Sequence, residues 1–324
     1  MAVTDLIKVQ VGQAAAWGDA TVATAKMMGV TDVSLQVVSE THHTEAAGRM
    51  YPSQMIANTG FYGEGSISMD LSYEHILFPL DNFFSQAVPA ATVYTYTAPT
   101  TAITAPNHYT LEIGALDAVA DAGYDADGVL FTGLNITGEA GGVWTGEFPF
   151  ICEDVTAAAA TVLADTTVEL IRMANTAIHI DAWGTAAGTA AATAATLVSF
   201  SLNVENGRHL KQFGGTIQPP AWGETQWSGK LTTVVEYNVA TKAIADGLLT
   251  PALVQRAIAI VATGGAPNNS IATIHFYGTL VDGVKLFEDR EGNITLSLTW
   301  EGTWQPTQAD WLEIVIDSTL AALP

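Results

Sequence analysis

The chain has 324 residues, 48% of them hydrophobic and only 14% charged, where an ordinary soluble domain carries about 25% charged residues. Asp and Glu total 33 against 11 Lys and Arg, a net charge of −22, which excludes the clustered basic surface that binding to phosphate backbones requires. A single cysteine, Cys152, excludes an internal disulfide and any multi-cysteine metal site.

This length is expected to hold two domains. So little charge is hard to spread over two exposed domains and points to a surface covered by other subunits. The competing reading is a secreted β protein with Thr/Ser/Gly-rich surfaces. The opening Met1-Ala-Val-Thr-Asp5 lacks the basic and apolar regions of a signal peptide, and no run of 18 apolar residues occurs. The expectation is a product made in the cytoplasm, without a membrane span.

In chain order, Leu6–Val11 alternates apolar with polar residues, and a Gly/Ala/Thr region follows over Gly12–Gly29. Val33-Ser-Leu35-Gln-Val37 and Gly65-Ser-Ile67-Ser-Met69-Asp-Leu71-Ser-Tyr73 alternate with period 2, so each predicts a strand with one buried face. The polar stretch Glu40–Gly60 between them predicts a long loop. Ile76, Leu77, Leu80, Phe83 and Phe84 recur at helical spacing, with Ser72 as a potential cap and Pro79 shortening or kinking the helix. The Ala/Pro/Thr stretch Val88–Pro106 predicts an exposed loop. Strands are predicted at 108–113, 128–135 and 143–150, the last two joined by the glycine-rich turn 138–142.

Glu153–Thr166 is rich in Ala, Thr and Asp and predicts a domain boundary, with domains over 1–153 and 167–324 and a linker over 154–166. Beyond it the plan recurs. A strand is predicted at 168–173, a loop at 184–197, strands at 198–204 and 229–237, and a loop at 206–226. Val239–Ala262 predicts a helix, with Thr250-Pro251 as a start signal. Strands at 271–280, 284–287 and 294–304 follow, with a turn at Arg290–Asn293.

The recurrence is an internal repeat. Val198-Ser-Phe200-Ser-Leu202 answers Val33–Val37 at an offset of 165, and Gly229, Leu231, Val235 and Tyr237 answer Gly65, Ile67, Leu71 and Tyr73 at 164. Leu6-Ile7-Lys8 matches Leu170-Ile171-Arg172, and Trp17-Gly18 matches Trp183-Gly184. Two copies of one β unit of about 160 residues are expected, each with a single helix rather than alternating βαβ units.

Candidate chemistry is sparse. His42-His43, flanked by Glu40 and Glu45, converges on a metal only in an irregular loop, because neighbours on a strand face opposite ways. Asp121–Gly128 lacks the ligand spacing of a calcium loop and reads as a turn. Asn135-Ile-Thr137 and Asn293-Ile-Thr295 read as strand residues beside turns rather than glycosylation acceptors. No Gly-x-Ser-x-Gly elbow or phosphate loop occurs. Trp222, Trp227, Trp300, Trp304 and Trp311 could form a sugar-binding platform, although core or interface packing is their commoner use. Cys152, in Phe148-Pro-Phe-Ile-Cys152, reads as a buried inert thiol. No catalytic, cofactor-binding or metal-ligating residue is expected.

The strand, long loop, Gly-x-Ile/Leu strand and helix of 33–84, repeated through 199–207 and 229–249, resemble the tail tube proteins of long-tailed bacteriophages, in the version with two fused tube domains. The resemblance implies a mainly β fold of two tandem β-sandwich or split-barrel domains, each with a short flanking helix. It implies a non-enzymatic virion protein: trimeric, pseudo-hexameric rings stacked around a lumen that conducts DNA without binding it specifically. The implied partners are the chain itself and the tape-measure, tail-terminator and distal tail proteins. It places the protein in the virion tail, assembled in the host cytoplasm. Contacts between rings are implied for the two long loops, at Glu40, His43, Arg49, Tyr51, Arg208, Lys211 and Trp222. A β-sandwich adhesion or carbohydrate-binding protein is the alternative, and a polysaccharide-active enzyme a third.

Overall fold

A computed structural model describes residues 7–44, 55–84, 89–102, 105–115, 123–159, 161–189, 197–247, 253–265, 268–281, 288–290, 292–320 and 323. The fold is mainly β. The first half runs β1 (Ile7–Ala14), β2 (Ala25–Lys26), β3 (Val30–Thr44), β4 (Met55–Asp70), α1 (Leu77–Phe83), β5 (Val93–Thr97), β6 (His108–Ala115), β7 (Gly123–Phe131), β8 (Gly133–Glu139), β9 (Trp144–Cys152) and β10 (Asp154–Ala158). After a 3₁₀ turn at Met173–Asn175 come β11 (Thr176–Ala182), β12 (Leu197–Glu205), β13 (His209–Lys211), β14 (Ala221–Gly223), β15 (Ser228–Glu236), α2 (Val239–Gly247), β16 (Gln255–Thr263), β17 (Ile271–Val281), β18 (Glu288–Arg290), β19 (Asn293–Gly302) and β20 (Leu312–Asp317).

The strands pair antiparallel in one scheme, used twice. Pairs β1:β6, β6:β7, β7:β10, β7:β9, β9:β4 and β4:β3 have the counterparts β11:β16, β16:β17, β17:β20, β17:β19, β19:β15 and β15:β12. In each half one strand turns the corner between two layers. β7 gives residues 123–127 to β10 and Leu130–Phe131 to β9. Gly128 lies at the bend with φ 64°, and a Cβ there would sit 2.9 Å from the Gly18 amide nitrogen. A side chain is therefore excluded by contact as well as by conformation.

Two pairings cross between the halves: β8 with β12, from Glu139↔Ser199 to Gly133↔Glu205, and β5 with β20, from Thr97↔Glu313 to Val93↔Asp317. The core is correspondingly continuous. Trp144 meets Phe200 edge-on at 4.9 Å, and Phe83 and Phe84 meet Trp227 at 5.1 and 5.4 Å. Each fully buried aromatic of this kind contributes about 1.5–3 kcal/mol relative to exposure.

The structure corrects several sequence expectations. Residues 255–263, expected to continue a helix from Val239, form β16. It lies between β11 and β17 with Ala257 to Ile260 buried on both faces, so an apolar run without alternation was read as helix. The proposed start at Thr250-Pro251 and the strand at 284–287 lie outside the described residues. The expected loop 88–106 contains β5, whose Tyr94 and Tyr96 are buried. The strand expected at 128–135 is two strands meeting at Thr132, and the linker's first residues are β10. Residues 168–173 are not a strand of the second half. Ser72 accepts the His75 amide (3.2 Å) rather than capping α1, and Pro79 occupies the helix's first turn, where no intrahelical donor is needed.

Two predictions follow from the packing. Trp300→Ala removes a side chain with no exposed surface and is expected to cost about 3–5 kcal/mol in urea unfolding, whereas Val162→Ala, 90% exposed, should shift stability by no more than about 0.5 kcal/mol. Burial raises the Asp310 carboxyl from 3.8 to about 6. The folded chain then holds this proton to higher pH than the unfolded chain, so its contribution is full below about pH 4 and is lost as pH rises through 6. Wild type should lose stability relative to Asp310→Asn between those values; parallel pH profiles would contradict the assignment.

Candidate functional site

Among the described residues no cluster of His, Cys, Asp and Glu is placed to hold a metal ion, and the most distinctive surface is a sheet. Eight strands follow one another by hydrogen bonding in the order β3–β4–β9–β8–β12–β15–β19–β18. The first four belong to the first half and the last four to the second. Among the described residues, β3 pairs only with β4 and β18 only with β19, so the ladder ends on two open edges.

Alternation divides the ladder into two faces. Ile67, Met69, Phe148, Ile136, Leu202, Leu231 and Leu298 point into the core. The opposite face carries mostly Ser, Thr, Asn and carboxylates, with Tyr62, Pro149, Ile151 and Val234 among them. One cross-strand row reads Asp32, Ser68, Glu147, Asn135, Asn203, Lys230 and Glu301. Glu64, Asp70, Glu139, Glu205 and Glu236 stand on the same face by the same registers. Against these carboxylates stands the ammonium of Lys230.

The two long loops differ from expectation. Between Glu40 and Gly60 the chain largely continues the β3:β4 ribbon, paired as far as Thr44↔Met55, and 45–54 lies outside the described residues. Glu40 and His43 are exposed on this ribbon; Arg49 and Tyr51 fall outside the described residues. His42 and His43 are adjacent on β3 and face opposite ways. The second loop folds back onto the first half. Ile217 accepts the Phe61 amide (2.8 Å), Pro219 accepts Trp17 Nε1 (3.2 Å), and Gln218 donates to Asp154 (2.7 Å).

Arg208, expected at a contact surface, is buried at 5% exposure. Its guanidinium donates to the carbonyls of Asn82 (2.7 Å) and Phe83 (2.9 Å), at the end of α1, and of Phe131 (3.3 Å), and pairs with Glu224 at 3.4 Å. Desolvation lowers its pKa to about 10, offset in part by Glu224. Trp222 is half-buried, 5.5 Å from the Arg208 guanidinium carbon and edge-on to His108. Lys211 lies on β13, half-buried and opposite Ala221. The sequence reading thus placed on one contact surface a residue that locks the two halves together.

The remaining candidates resolve as structure. Cys152 is buried and its thiol pushed up to about 12 by burial. Trp300 is in the core and Trp227 and Trp311 pack against it, while Trp227, Trp311 and the 45% exposed Trp304 line one cleft beside Pro99 and Thr100. Asn135 and Asn293 lie on β8 and β19. No helix among the described residues is long and apolar enough to cross a membrane.

A further contact was missed by sequence reasoning. Residues 169–173, just before β11, form a clasp across the ends of β4 and β9. Leu170 bridges Ser72, Arg172 bridges Val143, Ile171 donates to the Leu71 carbonyl (2.9 Å), and Trp144 donates to the Ile171 carbonyl (2.8 Å). Ile171 is fully buried. The similarity of Leu170-Ile171-Arg172 to Leu6-Ile7-Lys8 is its sequence signal, but Ile7 belongs to β1 and pairs with Ala115 of β6.

The fold is thus that of a β protein with one continuous sheet, acidic on one face, whose end strands each pair on one side only among the described residues. The model of the phage tail tube protein family matches residues 5–310, and the chain belongs to that family. It is thus a structural component of a bacteriophage tail. No curated protein matches the chain.

Replacing Arg208 by Ala leaves Glu224 and three carbonyls buried without their cation. It should lower stability by about 3–5 kcal/mol; Arg208→Lys, which lacks the planar fork, should recover little of it. Urea unfolding of the two variants checks this.

Proposed function

We propose that the chain is two fused tube domains, 1–153 and 167–324, and that three copies close into a pseudo-sixfold ring whose stacked repeats form the tail tube. The repeated pairing scheme supports the division. The observation that carries the ring is the ladder: β8 meets β12 inside the chain, and the counterparts of those strands, β18 and β3, are the two open edges. When β18 of one copy takes β3 of the next, the same kind of junction repeats head to tail, and a heterologous interface that closes makes a ring. Three eight-strand ladders make a twenty-four-stranded barrel, and barrels of roughly 16–18 strands already leave an aqueous channel.

The apolar face of the ladder is covered by the other layer of each half, which leaves the acidic face for the bore. Three copies carry −66 at −22 each, and a wall of this sign repels duplex phosphates, so DNA passes without adhering. Besides DNA, the tape-measure protein occupies the bore during assembly, and terminator and distal tail proteins cap the ends. Assembly takes place in the host cytoplasm. Glu40, His43, Arg49, Tyr51 and Lys211 are the proposed contacts to the adjacent ring; Arg208 and Trp222 act inside the chain.

Electron microscopy of the purified protein tests the reading. Rings or tubes with an open centre and threefold symmetry are expected; discrete monomers at every concentration would overturn it. Deleting 45–54 should leave rings that no longer stack, seen as single annuli instead of tubes. In assembled phage, Glu147→Lys, Glu205→Lys and Glu301→Lys together should leave rings intact and slow DNA release; an unchanged release rate would remove the electrostatic role.

A further inference from the structure

We propose that His75 is an acid-sensitive latch: its neutral ring holds the turn that carries the chain from β2 into β3, and protonating the ring releases that turn. The device is built into the four residues Ser72–His75, where the chain leaves β4 and gathers segments from both halves. Ser72 bridges Leu170, and Tyr73 donates to the Glu169 carbonyl (3.1 Å). Glu74 accepts the Glu169 amide (3.1 Å) and the Thr319 hydroxyl (3.2 Å), and His75 accepts the Met28 amide at Nδ1 (2.7 Å). Glu74 is 5% exposed and His75 4%.

An imidazole nitrogen that accepts an amide proton carries none of its own. The single proton of the neutral ring is therefore on Nε2, from which it donates to the Thr166 hydroxyl (3.4 Å), and the Phe78 ring packs alongside at 5.7 Å. A second proton has only Nδ1 to occupy. There it meets the Met28 N–H, so the bond breaks and two donors face each other. Burial holds the His75 pKa below 6.5, and the Glu74 carboxylate beside it acts in the opposite direction. On the segments packed around the ring, Lys26 pairs with Asp165, and Glu169 accepts the Gly265 amide (2.6 Å). Burial, with Glu169 and Glu74, raises the Tyr73 phenol to about 12, which keeps it neutral throughout the range in which His75 titrates.

The turn under the latch crosses from the outer layer, where β2 pairs with β1, to the ladder, whose edge strand β3 begins at Val30. Met27 donates to the Val9 carbonyl (2.9 Å), Met28 to His75, and Asp70 to the Gly29 carbonyl (2.8 Å), with Gly29 at φ 81°. Of these three bonds, the one at Met28 ends on an acceptor that titrates. Acid therefore loosens the entry to β3, while Glu74 goes on holding Glu169 and Thr319 of the second half. The sign follows from the depressed pKa. The folded chain takes up this proton at lower pH than the unfolded chain, so the contribution is full above about pH 6.5 and is lost as pH falls below it.

His75→Asn puts a carboxamide oxygen in the place of Nδ1, an acceptor that does not titrate. Hydrogen exchange at the Met28 amide, referenced to the intrinsic rate at each pH, is compared in the two chains between pH 7 and pH 5. The unaltered chain should lose protection by up to about tenfold per pH unit below 6.5, and His75→Asn should lose none. Urea unfolding over the same range should show the unaltered chain weakening relative to the variant, a comparison in which every other titrating group cancels. Parallel pH profiles of the two chains overturn the latch, as does a loss of stability that leaves Met28 protected. Nitrogen-15 spectra of the unaltered chain at pH 7 give a check that does not depend on the variant folding. A neutral His75 protonated on Nε2 is expected, and a ring protonated on Nδ1 overturns the assignment.

Discussion

A strand edge is a row of backbone donors and acceptors that must be paired, hydrated or hidden, and this requirement governs the whole chain. β3 is fifteen residues long and presents its outer edge unpaired among the described residues. An edge of that length is a liability in a monomer and an instruction in an assembly. The chain resolves the same difficulty once internally, by running β8 along β12. The internal junction is therefore a structural statement of what the terminal edges are compatible with.

That junction is held by interactions of different kinds. Backbone pairing sets the register, and the aromatic contacts of Trp144 with Phe200 and of Phe83 and Phe84 with Trp227 exclude water behind it. Arg208 adds direction, because a planar guanidinium that serves the carbonyls of Asn82, Phe83 and Phe131 tolerates little rotation between the halves. The β5:β20 pairing and the clasp at Ile171 tie the two halves at further points. The halves accordingly share one core.

The electrostatics follow the same division of labour. With 14% charged residues, the chain has few charges to place, and eight of its 33 carboxylates stand on one face of the ladder. Ser, Thr and Asn fill most of the positions between them. Such a face hydrates well and repels polyanions. The family of the chain is one of structural tail proteins.

Much of this was legible in the order of residues. Alternation of apolar and polar side chains marks the paired cores of β3 and β4 and the strands β12 and β15, because a strand's period of two is written directly into its sequence, although Val37 of β3 is 46% exposed. The acidity was equally plain. Alternation fails where both faces are buried, and so β16 was taken for helix; it is also lost in composition, and so Val93-Tyr-Thr-Tyr-Thr97 was passed over inside an Ala/Thr stretch. Pairing partners were beyond reach. That β8 meets β12, that Arg208 turns inward, and that Ile171 leaves its own half to close the other are decided by which edges come together in space. A local pattern specifies the shape of an edge, whereas its partner is selected by competition among all the edges of the folded chain.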